Sequence, residues 1–317
     1  MLAAKDKFEL FNHLSSIMQQ NLCSVEPYQL IQYGLQFYCH HQGKKELVRI
    51  YEGKKGIRLD LSMVDAELAR KIGLWIGDPK LLPLPTVAPK GQAIKFESIA
   101  DPETLIGIDE SGKGDYFGPL VIAAVYCDEA KKAELKKMGV RDCKSLPDAK
   151  VIELSKKIQS ETLHSAIVIG NPVYNNVYQH FKNLNLILGW GHAKVLENVL
   201  YQTPCAFALS DQFGDPSIIK RFLMSQGKTV TLLQRHKAED NIAVAAASVL
   251  ARGQFLLERN KLESRFGMSF PKGSSEQTIV AAKQYVEKFG TEALDQIAKL
   301  HFKQTEKILE SLKNDEG

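Results

Sequence analysis

The chain has 317 residues, more than one hydrophobic core usually supports, so a large domain accompanied by a small one is expected. Its 44% hydrophobic and 25% charged content excludes a fibrous or disordered chain, and five scattered cysteines without a Cys-x-x-Cys pair speak against a disulfide framework or zinc site and for reduced thiols. A net charge of +4 is too small to announce a nucleic-acid binder, and the absence of a basic-then-apolar leader and of any membrane-length apolar run leads us to expect a cytoplasmic location.

Apolar residues at helical spacing over 5–20 (Phe8, Phe11, Leu14, Ile17, Met18) and 63–75 (Met63, Leu68, Ile72, Trp75) predict two amphipathic helices. Between them, 30–38, 47–51 and 57–61 are β-prone runs. They are parted by Gln42-Gly43-Lys44-Lys45 and Gly53-Lys54-Lys55-Gly56, which have the composition of hairpin turns. Residues 1–85 therefore read as a small α+β domain. Leu82-Pro83-Leu84-Pro85, followed by Thr86, Pro89, Lys90 and Gly91, is extended, proline-rich chain, a linker over 86–100. The second domain, 101–317, offers strands at 105–109, 120–127, 163–169, 205–211 and 229–233 and helices at 177–201, 242–258 and 277–288. That order predicts an α/β fold, a mixed sheet flanked by helices.

Leu105-Ile106-Gly107-Ile108 delivers Asp109 and Glu110 to the end of a buried strand, directly before Ser111-Gly112-Lys113-Gly114. Charges in that position are costly unless paired or bound to metal. Strand alternation would send the two acids to opposite faces, but the glycines behind them permit a bend that would turn both toward one site. A second apolar strand ends in Asp211, and Lys237-Ala238-Glu239-Asp240 carries acids to the start of the Ile242 helix. Taken singly, Asp211 suits a turn, and Glu239 or Asp240 a helix cap. Taken together, acids at three strand ends suit hard Mg²⁺ or Mn²⁺ ions and two-metal phosphodiester hydrolysis.

The stretch from Gly107 to Lys113 also matches the Gly-x-x-x-x-Gly-Lys core of a phosphate-binding loop. The match fails at Gly114, where such a loop needs Ser or Thr for Mg²⁺, and two acids inside the cradle would repel phosphate. A loop of Ser111, Gly112, Lys113 and Gly114 can instead approach a nucleic-acid strand closely, with backbone amides and one cation for its phosphates.

With Tyr116-Phe117-Gly118-Pro119 after it, the Asp109–Asp115 segment closely resembles the opening motif of the bacterial ribonuclease HIII family. Related ribonuclease HII proteins commonly carry Arg where Lys113 stands. The resemblance continues through Gly139-Val140-Arg141-Asp142-Cys143-Lys144-Ser145-Leu146, Arg235-His236-Lys237-Ala238-Glu239, Ala245-Ala246-Ala247-Ser248, Phe270-Pro271-Lys272-Gly273 and Ala298-Lys299-Leu300-His301-Phe302-Lys303. It implies a ribonuclease H-like fold and an endonuclease cutting the RNA strand of RNA/DNA hybrids with Mg²⁺ or Mn²⁺, leaving 5′-phosphate and 3′-hydroxyl ends. The four acids it implies fall on Asp109, Glu110, Asp211 and Glu239, with Asp240 as the neighbouring candidate and, by helix geometry, a cap.

Cys143 and Ser145 depart from the family's Ser and second Lys, which leaves Lys144 as the phosphate contact of that segment. Ribonuclease HII proteins sense the RNA-to-DNA junction with a tyrosine that the HIII branch generally lacks, so the resemblance implies a run of ribonucleotides as substrate. His236 and His301 read as structural. A monomer is expected, and the rival from another class is a non-catalytic hybrid binder that keeps the fold.

The first 85 residues resemble, in size and hairpin pattern, the TATA-binding-protein-like domain that precedes the catalytic part of ribonuclease HIII. Lys44, Lys45, Arg49, Lys54, Lys55 and Arg58 with Tyr33, Tyr38 and Tyr51 among them suit phosphates and stacking. Deletion of residues 1–85 is expected to weaken hybrid binding while residual cleavage persists; a filter-binding titration with unchanged affinity would refute the binding role.

Overall fold

The N-terminal helix α1 (Lys7–Gln20) starts where Asp6 accepts hydrogen bonds from the amides of Phe8 and Glu9. In the computed structural model, which describes residues 4–21, 23–41, 43–53, 56–76, 102–141, 146–215 and 217–315, the chain divides into two compact units, Met1–Leu84 and Pro85–Gly317. The proline-rich segment expected as a linker lies outside the described residues.

In the first unit, strands β1 (Ser24–Val25), β2 (Gln29–Ile31), β3 (Gly34–His41), β4 (Lys44–Gly53) and β5 (Gly56–Asp60) form an antiparallel sheet of order β1-β3-β4-β5, with β2 also on β3. Alternation puts Leu35, Phe37, Cys39, Val48 and Ile50 on one face, which is buried with Leu10, Leu14 and Met18 of α1 and Leu68 and Ile72 of α2 (Ala66–Ile76). The single run expected at 30–38 is two strands. The chain reverses between Ile31 and Gly34 through Gln32 and Tyr33, the latter in the left-handed region at φ 63°, neither of them the Gly, Asn or Pro usual at the centre of a turn.

In the second unit, β6 (Leu105–Ser111), β7 (Leu120–Cys127), β8 (His164–Ile169), β9 (Phe207–Asp211) and β10 (Thr231–Arg235) form a mixed sheet of order β10-β9-β6-β7-β8. β7 runs antiparallel to β6 and β8, while β9 and β10 run parallel to β6. Residues 177–201 are not one helix: α5 (Asn171–Phe181) ends at Lys182 in the left-handed region, and Asn183 caps α6 (Leu184–Leu200). Four helices lie where no periodic run stood out: α3 (Glu129–Lys137), α4 (Asp148–Glu161), the short α7 (Ser217–Phe222) and, at the C-terminal end, α10 (Lys303–Asp315). The composition of α3, Glu-Ala-Lys-Lys-Ala-Glu-Leu-Lys-Lys, shows why: charge masks its period.

Helix α8 (Ile242–Phe266) covers one face of the sheet, where Val121, Ala123 and Val125 join a core with Ala243, Ala246, Ala247 and Leu250. Helix α6 covers the other, its Gly191 pressed against Ile122 and Ile167. A second core gathers Tyr116, Phe117 and Phe270 with α9 (Glu276–Phe289) and Ile308 of α10 (Lys303–Asp315). Among the described residues no helix is long and apolar enough to cross a membrane.

The approach of α8 is set by Gly107. A Cβ there would lie 2.1 Å from the carbonyl carbon of Ala243, so strand and helix touch backbone to backbone. Gly107→Ala is therefore expected to destabilise the second unit by about 3 kcal/mol, since neither backbone can yield, whereas Gly114→Ala, which meets nothing within 4 Å, should leave it unchanged. Urea unfolding of both variants checks the contrast.

Candidate active site

Asp109 lies opposite Ala123 and Glu110 opposite Ile122, and the ladder runs on to Ser111 opposite Val121. The bend expected at the glycines is thus absent from the acids themselves: they sit in regular strand and leave it on opposite faces, Asp109 toward α8 and Glu110 toward α6. On the other side of β6, Ile108 pairs with Ser210, so Asp211 follows at the level of Asp109. Asp109 and Asp211 thereby stand side by side at the ends of two neighbouring parallel strands, with Glu110 next along β6.

Asp109 accepts hydrogen bonds from the Ser248 hydroxyl of α8 and, at 2.8 Å, from the Glu110 amide. Burial, then the charges of Glu110 and Asp211, nevertheless push its carboxyl well above the ordinary range. Burial pushes Glu110 up too, but the hydrogen bond and charge of His192, reinforced by Lys113, more than offset this and hold it low. The His192 ring is fully buried: Nε2 lies 3.0 Å from Glu110 Oε2 and Nδ1 3.0 Å from Ser210 Oγ. Lys113 Nζ donates to Glu110 Oε1 at 3.3 Å and stands 5.8 Å from the centre of the Phe213 ring.

Asp211 Oδ1 accepts from the Ala238 amide at 3.1 Å, which ties β9 to the turn carrying Glu239 and Asp240. Lys237, in the left-handed region at φ 57°, makes that turn abrupt. Asp240 is exposed and grips Arg235 through both oxygens, one at 2.9 Å from Nη1. It does not cap α8, as the sequence suggested; Asn241 does, accepting from the Ala243 amide at 2.9 Å, because the intervening turn places Asp240 one residue too early. Glu239 is half-buried in the same turn.

Among the described residues no three carboxyl, imidazole or thiol groups converge closely enough to enclose a cation. The acids stand as an open cluster in which like charges part and Asp109, Glu110 and Asp211 each take a nearby donor. The donor set still fits a hard divalent ion: it is all oxygen, and Asp109 is half-buried among negative charge that Ser248 and one amide only partly answer.

The loop after β6 lies beside this cluster. Ser111 is buried; Gly112, at φ 88°, turns where a Cβ would strike the Pro119 carbonyl at 2.2 Å and the Phe255 ring. Lys113 is half-exposed and Gly114 exposed at the apex. Lys144 lies outside the described residues. His236 is exposed, and His301 stacks on Tyr178 at 4.0 Å, pushed down to about 4 by burial and by Lys299. Sequence reasoning missed His192, Ser210 and Ser248; the one available signal was a histidine set in the apolar run Leu-Ile-Leu-Gly-Trp-Gly-His of α6.

Together, the sheet and the acids at its strand ends define a nuclease of the ribonuclease H-like class. The model of the family described as Ribonuclease HII matches residues 106–305. Ribonuclease HIII of Protochlamydia amoebophila (strain UWE25) is 44% identical over 204 residues, covering 64% of this chain and 68% of that protein. Ribonuclease HIII of Chlamydia felis (strain Fe/C-56) is 39% identical, covering 67% and 72%. The crystal structure of Bst-RNase HIII in complex with Mn²⁺ superposes with a TM-score of 0.62 at 25% identity, covering 99% of this chain and 98% of that one. The chain belongs to the ribonuclease HII family and, within it, groups with ribonuclease HIII; such proteins are endoribonucleases that use divalent metal to cleave the RNA of RNA/DNA hybrids.

The two neighbouring acids of the turn make a direct test. Glu239→Gln is expected to lower kcat on the order of a hundredfold, and Asp240→Ala, which loses only an exposed ion pair, to stay within about twofold. Single-turnover cleavage of a labelled hybrid reads both.

Proposed function

We propose that this chain cuts RNA/DNA hybrids at a site formed by Asp109, Glu110, Asp211 and Glu239, leaving 5′-phosphate and 3′-hydroxyl ends. The observation that carries this reading is Asp109: a half-buried carboxylate forced beside Glu110 and Asp211 and left short of positive charge. Mg²⁺ or Mn²⁺ suits that deficit, and the similar Bst-RNase HIII binds Mn²⁺. When bound, such an ion supplies Lewis acidity to the scissile phosphate and lowers the pKa of the attacking water.

The chain's own residues divide the remaining work. Asp109, Glu110, Asp211 and Glu239 hold the ion, while His192, braced by Ser210, orients Glu110. Lys113 offers a cation to the strand's phosphate and, leaving Glu110, frees one of its oxygens. Ser111, Gly112 and Gly114 bring backbone within reach of the ribose, and Lys144 contacts a further phosphate. A run of ribonucleotides is the substrate.

The first unit serves as a substrate-binding domain. On its β3–β4–β5 face, Lys45 stands 4.2 Å over Tyr38 and Arg58 5.5 Å over Tyr51, pairing cations with rings as a nucleic-acid surface requires. The protein works as a monomer in the cytoplasm.

Asp109→Asn is expected to lose about three orders of magnitude in hybrid cleavage while keeping hybrid binding. Without metal it should melt about 2–4 °C higher than the parent, because a repelled charge is gone, and it should lose most of the rise in melting temperature that Mn²⁺ gives the parent. Cleavage by the parent that survives a chelator would sink the reading.

A further inference from the structure

Lys299 is fully buried, yet no carboxylate oxygen accepts from its ammonium among the described residues. Nζ donates instead to two backbone carbonyls, Asp115 at 2.8 Å and Gly118 at 2.6 Å, and lies 5.7 Å from the centre of the Tyr174 ring. The nearby Asp115 carboxylate is engaged elsewhere: Oδ1 accepts from the Gly273 amide at 2.7 Å, and Oδ2 faces Arg252 at 4.0 Å. Burial pulls the Lys299 ammonium down to about 7, with the Asp115 charge opposing. A cation kept in so unfavourable a place has its use in the two carbonyls it holds.

Those carbonyls belong to the segment that returns from the apex of the glycine-lysine loop to β7. Main-chain bonds already anchor its far end: Phe117 bridges Ala298, the Gly118 amide donates to Ile297 at 3.0 Å, and the Lys299 amide to Tyr116 at 2.9 Å. Asn171 Nδ2 adds a second donor to the Gly118 carbonyl at 3.0 Å. The Lys299 side chain extends this anchorage to the carbonyl of Asp115, the residue after the exposed Gly114, beside the Gly273 amide that holds the Asp115 carboxylate. At that apex nothing packs within 4 Å of where a Cβ would be.

We infer that Lys299 is a positioning residue for substrate: from inside the protein its ammonium fixes the carbonyls of Asp115 and Gly118, and so sets where residues 112–114 meet the nucleic-acid strand. This rests on the reading that those residues touch the strand. Because none of the four acids lies in the loop, loss of the strut changes capture of the hybrid more than the chemical step.

Lys299→Met keeps the unbranched stem as far as Cε and removes the donors. In the full chain with Mn²⁺, its KM for a hybrid is expected to rise roughly tenfold with kcat within about threefold, since a small displacement of a contact is enough for that. Circular dichroism checks that the variant is folded, and Lys113→Ala, measured alongside, tests the loop itself. A folded Lys299→Met with unchanged KM, beside a raised KM for Lys113→Ala, overturns the role of Lys299. Unchanged KM in Lys113→Ala overturns the loop reading instead. Where Lys299→Met does not fold, Asn171→Ala decides: a raised KM with preserved kcat supports the strut, and an unchanged KM overturns it.

Discussion

Two adjacent carboxylates inside an apolar sheet set the terms for everything around them. Asp109 and Glu110 take different side-chain donors, because regular strand geometry sends them to opposite faces. Each face therefore supplies its own answer: Ser248 of α8 for Asp109, His192 of α6 for Glu110. The answers are unequal. His192 and Lys113 satisfy Glu110, whereas a neutral hydroxyl and one amide leave Asp109 with its proton affinity raised. That imbalance leaves the negative charge of the cluster only partly answered.

Meeting those terms demands close packing. Gly107 lets the start of α8 lie against the strand two residues before Asp109, and the alanine-rich opening of the helix keeps the interface thin. Gly112 then takes the chain out of the sheet through a conformation that side chains rarely adopt, directly under Pro119 and Phe255. Two lysines bracket the resulting loop with different duties. Lys113 is half-exposed and pairs with Glu110; Lys299 is enclosed and holds backbone.

The first unit follows a simpler logic. Its antiparallel sheet buries one face under two helices and leaves the other polar and aromatic. Alternation along β3 and β4 is enough to produce that division.

Much of this was legible in order along the chain. Apolar runs ending in acids marked β6 and β9, and Asp109, Glu110 and Asp211 stood out because charge at the end of a buried strand needs a reason. The helix break at Lys182 was not legible, since lysine in the left-handed region leaves no compositional trace, nor was α3, whose charges hide its period. His192 and Lys299 were beyond reach for a different reason. Their partners stand 82 and more than 180 residues away, and a hydrogen bond over such separations exists only once the sheet and helices have packed. The sequence by itself determined which residues could carry the chemistry, because residue type fixes charge and donor capacity. Only the tertiary structure decided which of them answer one another, because that depends on distance and burial, and it alone put Asp109 where its charge goes short and Lys299 where its charge is spent on backbone.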